Sequence, residues 1–241
     1  MLLRKRYGFD GILINLPGRD PGWRSHVQRI EAREESKIVH WKNGWFTVCP
    51  KDDNPHVYRA DGERNLVRFE EVEPERLFYV EPHDLSGIVY PYYWGFSGVP
   101  AERADFFPPW QFDTIDYIVQ RVGSEVSIHG EIFSPFSQFL ELLDYTNALI
   151  ALIDDPAKCE ACLDALSEGA IALGRGQAEH GVDAILISSA FAGSGFISPD
   201  HYRRFVLPFE RRVIAGIKSA YDLPVYTHTC GSIGDRLELM V

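Results

Sequence analysis

Three short apolar runs, Glu125–His129, Ala184–Ser188 and Pro224–His228, are each followed by loop residues and separated by amphipathic segments, which confines residues 117–241 to a β/α architecture. Runs of this kind read as buried parallel strands. The helices between them carry explicit start signals. Asp155-Pro156 is an N-cap followed by proline at the first helical position, and Ser198-Pro199 repeats the device. Gly181, after Glu179-His180, reads as a helix stop. Pro208 predicts a kink or a break in the helix that begins at Pro199. Asp183 and Asp10 each have the look of a residue that caps or orients a strand start.

Residues 1 to about 116 are organised differently, being irregular and aromatic. The segment Tyr7–Leu16 reads as a strand entered without any preceding element. Ile38–Trp41 and Trp45–Val48, joined through Lys42-Asn43-Gly44, predict a hairpin, because Asn-Gly supplies the positive φ of a tight turn. From Val89 to Trp110 the chain concentrates Tyr90, Tyr92, Tyr93, Trp94, Phe96, Phe106, Phe107 and Trp110 among glycines and prolines. Such a run fits either a loop packed over the end of a sheet or the lining of a pocket for a large flat ligand. The expectation is a single domain over 1–241, with a first-strand region of hairpin and aromatic loops at 1–116 and regular β/α units at 117–241.

Composition removes several function classes. A formal charge of −11 leaves no extended positive surface for phosphates, so nucleic acid and anionic membranes are not expected partners. No stretch approaches the ~20 apolar residues of a membrane span, and Met1-Leu2-Leu3-Arg4-Lys5-Arg6 lacks the apolar core of a secretory signal. The four cysteines, Cys49, Cys159, Cys162 and Cys230, are too scattered for a disulfide framework, which suits a reducing, cytoplasmic setting.

The chemistry concentrates at His228-Thr229-Cys230-Gly231, where strand alternation points His228 and Cys230 to one side. An imidazole nitrogen and a thiolate are ligands that zinc selects, and a zinc ion with few protein ligands keeps a position open for chemistry. His129 and Glu131 alternate on another strand, so they too share a side and are candidates for general acid–base work or for a further metal ligand. Cys159 and Cys162 have the CxxC spacing of redox or metal sites. They also fall in the stripe Cys159, Cys162, Leu163, Leu166, Ala170, Leu173, and are read as core packing on a helix face. Cys49 has no histidine or cysteine at ligand spacing and is read as structural.

Three segments together, Gly181–Ile187, Phe196–Pro208 and Pro224–Gly231, resemble the uroporphyrinogen decarboxylase superfamily. Gly130-Glu131-Ile132-Phe133-Ser134-Pro135-Phe136 is similar to that family's third-strand turn, and Asp154-Asp155-Pro156 to its following helix start. The likeness is strong over 125–241 and weaker from Gly8 through the Trp41–Gly44 hairpin. It implies a (β/α)₈ TIM barrel with its pocket at the C-terminal ends of the strands, here a partial one. By this resemblance the chain enters at the second strand and ends after the fifth, so it is expected to be a fragment, or a piece completed by another chain that supplies the missing strands.

Within the superfamily, uroporphyrinogen decarboxylases carry an Arg-Gln-Ala-Gly-Arg-Tyr signature for substrate carboxylates, and nothing here matches it. The corrinoid-linked methyltransferases carry His-x-Cys-Gly after the fifth strand and a later cysteine, which bind a zinc ion that activates a thiol such as coenzyme M. Residues 228–231 match that branch. The resemblance therefore implies His228 and Cys230 as zinc ligands, and a corrinoid, free or on a carrier protein, as methyl donor to a thiol or other small acceptor. Tyr92, Tyr93 and Trp94 are the candidates for corrinoid contact. The later cysteine has no counterpart after Cys230, where Asp235 and Glu238 are expected on the next helix and His129 or Glu131 is a weak replacement. Tetrapyrrole decarboxylation and a non-catalytic, partner-binding fragment are the alternative readings.

Overall fold

The computed structural model describes residues 6–15, 17–18, 21–53, 55–64, 66–80 and 106–240. Its strands are β1 (Gly11–Ile14), β2 (Val27–Ala32), β3 (Ser36–Trp41), β4 (Phe46–Pro50), β5 (His56–Tyr58), β6 (Ser127–Phe133), β7 (Ala184–Ser188) and β8 (Val225–His228). The α-helices used below are α1 (Asp113–Val122), α2 (Pro135–Leu143), α3 (Tyr145–Asp154), α4 (Pro156–Glu179), α5 (Pro199–Phe205), α6 (Leu207–Lys218) and α7 (Leu237–Met240). Among the described residues, no helix is long and apolar enough to cross a membrane.

Alternation along β6 decides the layers. Ile128, Gly130 and Ile132 are buried, whereas Ser127, His129, Glu131 and Phe133 are only partly covered. The first set faces helices: Ile14, Ile128, Ile132, Ile185 and Ile187 pack against Ile115 of α1, Leu173 of α4, and Val213 and Ile217 of α6. The sheet runs β1-β6-β7-β8 with every pair parallel. Register sets three levels across its other face: Leu13 beside His129, then Glu131–Leu186–Tyr226, then Phe133–Ser188–His228. That face is open at the edges, with Leu13 44% and Tyr226 40% exposed. The expected barrel staves, with helices outside and a mixed polar and apolar inner surface, are therefore present as an unclosed sheet.

Local signals account for the helices. Asp155 accepts from the Lys158 N–H at 3.0 Å and Ser198 from the His201 N–H at 3.2 Å, as N-caps do. Gly181 takes a φ of +89°, as a helix stop requires. The proline at 208 divides the helical stretch: α5 ends at Phe205, Val206 turns to φ −118°, and Pro208 sits in the first turn of α6. Cys159, Cys162, Leu163 and Leu166 are all fully buried in a second core formed by α2, α3, α4 and α5. Burial pushes the Cys159 thiol up to about 12 and that of Cys162 up to about 11, so both are inert packing groups.

Three boundaries differ from the sequence reading. The strand expected at Glu125–His129 begins at Ser127 and continues to Phe133, because the N–H groups of Glu125 and Val126 close a turn onto Val122 and pairing with β7 extends the far end. Pro224 lies before β8 because it has no N–H, although its carbonyl accepts from Ile185 at 2.9 Å. Of Tyr7–Leu16, only Gly11–Ile14 is strand. The hairpin forms as expected, with Gly44 at φ +90° and its N–H on the Trp41 carbonyl at 3.0 Å. It is the centre of an antiparallel sheet β2-β3-β4-β5, held by the buried Trp41, whose indole donates to Thr47 at 2.9 Å.

Candidate functional site

The His228–Cys230 turn is built by backbone zippering to the loop after β7. The Ser189 N–H donates to the His228 carbonyl at 2.8 Å, and the Cys230 N–H donates to the Ala190 carbonyl at 3.1 Å. Ser194 adds a bond to the Ser232 carbonyl at 2.9 Å. Gly193 admits this approach, since a Cβ there would collide with the carbonyl of Cys230. Arg236, with its side chain fully buried, donates to the carbonyls of Ala192 at 2.7 Å and Ile197 at 2.9 Å, and pairs with Asp235 at 2.8 Å. Asp235 thus lies before α7, not on it, and anchors the arginine.

Both candidate ligands face the same side, with Cys230 Sγ 3.7 Å from His228 Nε2 and both residues exposed. A tetrahedral zinc ion, with bonds of about 2.0 Å to nitrogen and 2.3 Å to sulfur, sets two such atoms about 3.5 Å apart. The donor pair therefore fits two vertices of a zinc site. Among the described residues no group of three or more His, Cys, Asp or Glu side chains gathers to complete it. The register puts His129 and Glu131 on lower levels of the sheet than His228.

His129 and Glu131 do share the inner face. The His129 ring is held from both nitrogens, Nδ1 at 2.6 Å from the Tyr226 hydroxyl and Nε2 at 3.0 Å from the Ser127 hydroxyl. Tyr226 lies level with Glu131, and burial together with the Glu131 charge raises its phenol above the usual range. Glu131 is fixed through its backbone, whose carbonyl accepts from Gln177 Nε2 at 2.8 Å, and Gly130 leaves room for that amide. Asp183 orients the strand as expected: its carboxylate accepts from the Ile128 N–H at 2.7 Å while its own N–H donates to the Ile128 carbonyl.

Tyr92, Tyr93 and Trp94 lie outside the described residues. Of the aromatic run, Phe106 and Phe107 pack edge-on against Phe78 and Tyr79, with ring centroids 4.9 Å apart for Phe78–Phe106 and 5.3 Å for Tyr79–Phe107. Sequence reasoning passed over Tyr226, although it alternates with His228 in the same strand. It also passed over Ser189 and Arg236, whose roles depend on contacts between distant loops.

The family model described as uroporphyrinogen decarboxylase (URO-D) matches residues 100–241. A methylated-thiol–coenzyme M methyltransferase from Methanosarcina mazei is 30% identical over 117 residues, 48% of this chain and 31% of that protein. The methylcobamide:CoM methyltransferase MtbA of Methanosarcina acetivorans is 25% identical over 131 residues, 53% of this chain and 37% of its own length. The chain thus spans about a third of the length of these relatives. A solved methyltransferase from Methanosarcina mazei superposes with a TM-score of 0.57 at 18% identity, covering 96% of this chain and 55% of that one, and so shares the fold. The expected resemblance is borne out, and the chain belongs to the uroporphyrinogen decarboxylase (URO-D) family.

Proposed function

We propose that the chain carries the zinc half-site of a methyltransferase that moves a methyl group from a methylated corrinoid to a thiol acceptor. The observation that carries the reading is the His228–Cys230 pair at tetrahedral-edge spacing on the C-terminal rim of the sheet. The names of the relatives support it. Zinc, when bound, lowers the pKa of an acceptor thiol and holds it as the thiolate.

In this reading His228 Nε2 and Cys230 Sγ are the ligands, and the bonds from Ser189 and to Ala190 hold them in place before any substrate arrives. The proton lost by the thiol passes to His129 by way of the Tyr226 hydroxyl, and Glu131 stabilises the imidazolium. A methylated corrinoid, when bound, would supply the methyl group to that thiolate. Tyr92, Tyr93 and Trp94 contact the corrinoid or its carrier. Residues 1–241 act as one incomplete barrel unit. Among the described strands, inward positions carry no arginine or lysine for substrate carboxylates, which leaves tetrapyrrole decarboxylation without support.

The test is zinc stoichiometry of the wild type against His228→Ala and Cys230→Ala, followed by methyl transfer from methylcobalamin to coenzyme M. About one zinc per chain, lost in both variants, supports the site. A folded wild type that binds no zinc moves the reading to a non-catalytic, partner-binding member of the family.

A further inference from the structure

Behind the turn that carries His228 and Cys230 lies a buried polar cluster that the proposed transfer does not use. Glu210 of α6 is 4% exposed, yet its Oε1 has no hydrogen-bond partner. Its Oε2 receives a long bond from the Tyr202 hydroxyl at 3.5 Å. The Ser189 hydroxyl lies beside the carboxyl and donates to Ser134 at 3.1 Å. Ser134 donates to Ser137 at 3.2 Å, and Ser137 to the Ser188 carbonyl at 3.1 Å.

Ser137 must donate to the Ser188 carbonyl, whereas the hydroxyls of Ser134 and Ser189 can turn either way, so Ser189 can meet the carboxyl as acceptor or as donor. With Ser189 as acceptor the site suits a protonated Glu210, and with Ser189 as donor it suits the carboxylate. Burial pushes Glu210 up to about 7, against the hydroxyls of Ser189 and Tyr202, which favour the charged form. The charged groups around the cluster are already engaged. Arg236 lies 5.4 Å from the Tyr202 ring centre and is paired with Asp235, and Arg211, on α6 itself, donates to the Leu239 carbonyl. Ser189 is also the residue whose N–H holds the His228 carbonyl. The carboxyl and the ligand turn therefore meet at one serine.

We propose that Glu210 is a buried counter-charge for the His228–Cys230 pair, protonated while the pair is empty and ionised when a divalent cation binds. This rests on the reading of the pair as a metal site. A divalent ion on one neutral imidazole and one thiolate leaves one positive charge uncompensated, and a carboxylate in a low-dielectric interior offsets it. On binding, the carboxyl O–H bond breaks, the proton passes to water, and the Ser189 hydroxyl turns to the carboxylate.

The experiment is a calorimetric titration of the full chain with zinc chloride at pH 6.5, in two buffers of different ionisation enthalpy, which counts the protons released. Wild type should release about half a proton more than Glu210→Gln, the amount expected if a group titrating at about 7 falls by one unit on binding. Zinc affinity at pH 6.5 should fall about threefold in the variant, the linkage equivalent of that unit at this pH, and about tenfold well above pH 7. Equal proton release from both overturns the counter-charge and leaves the metal site standing, whereas a wild type that binds no zinc overturns the metal site and this inference with it. Should Glu210→Gln not fold, infrared difference spectra of the wild type decide the matter. Loss of a protonated-carboxyl band on zinc addition supports the assignment, and an unchanged band overturns it.

Discussion

The Tyr226 hydroxyl lies 2.6 Å from Nδ1 of His129, joining residues 97 positions apart across the inner face of the sheet. With Nε2 meeting Ser127 at 3.0 Å, a neutral His129 keeps one tautomer, accepting from Tyr226 and donating to Ser127 or the reverse. Tyr226→Phe removes one anchor. The nitrogen resonances of His129 should move from a single tautomer toward a mixture, and methyl transfer should fall by about tenfold to a hundredfold, less than the roughly 10²–10⁴-fold that loss of an acid–base group itself costs. Unfolding stability should change by less than about 1 kcal/mol, since Tyr226 is 40% exposed. Unchanged nitrogen resonances would remove the dyad.

Asp183 joins the start of β7 to β6 through its carboxylate on the Ile128 N–H at 2.7 Å. Asp183→Ala leaves that N–H without its partner and should destabilise the protein by about 1–3 kcal/mol in denaturant titration. Asp183→Asn keeps an acceptor and should recover most of the loss. A cost near zero for Asp183→Ala would mean that Ile128 finds another partner.

How far these contacts were legible depends on how local they are. His228 and Cys230 stand two residues apart in one strand, so alternation alone put them on one side. The N-caps Asp155 and Ser198 and the break at Pro208 were equally readable, because each depends on a few adjacent residues. The strands β2 and β5 were not: Val27–Ala32 is mostly exposed and carries Arg29 and Glu31, so it shows no apolar alternation, and it pairs only because the hairpin offers an edge. Glu210 left a trace that went unread. It interrupts the buried stripe Leu207, Val213, Ile217 of α6, and a charged residue on a buried stripe is a sign of a specific environment. Its partners on the loop after β7 and on α5 come together only through tertiary packing.

Thiol chemistry separates the cysteines. Cys230 is exposed, while Cys159 and Cys162 are buried with thiols pushed up to about 12 and 11. In the native protein at pH 8, iodoacetamide should label Cys230 well before Cys159 or Cys162, as peptide mass spectrometry would show. Saturating zinc should protect Cys230 at least tenfold, because the metal holds the thiolate. Labelling of Cys159 or Cys162 at the rate of Cys230 would contradict their placement in the core.

The raised Glu210 carboxyl also shapes the stability of the metal-free protein. Folded, the group titrates at about 7, whereas its ordinary value is 4.5, so between those values the folded chain holds a proton that the unfolded chain has lost. Stability should therefore decline as pH climbs from about 4.5 to 7, by an amount of order 3 kcal/mol from this residue, and level off above that range. Glu210→Gln carries no ionisable proton and should flatten this part of the profile, gaining on the wild type as pH rises. Urea midpoints measured at pH 5, 6, 7 and 8 for both proteins give the comparison, and parallel profiles would show that Glu210 stays ionised in the folded state.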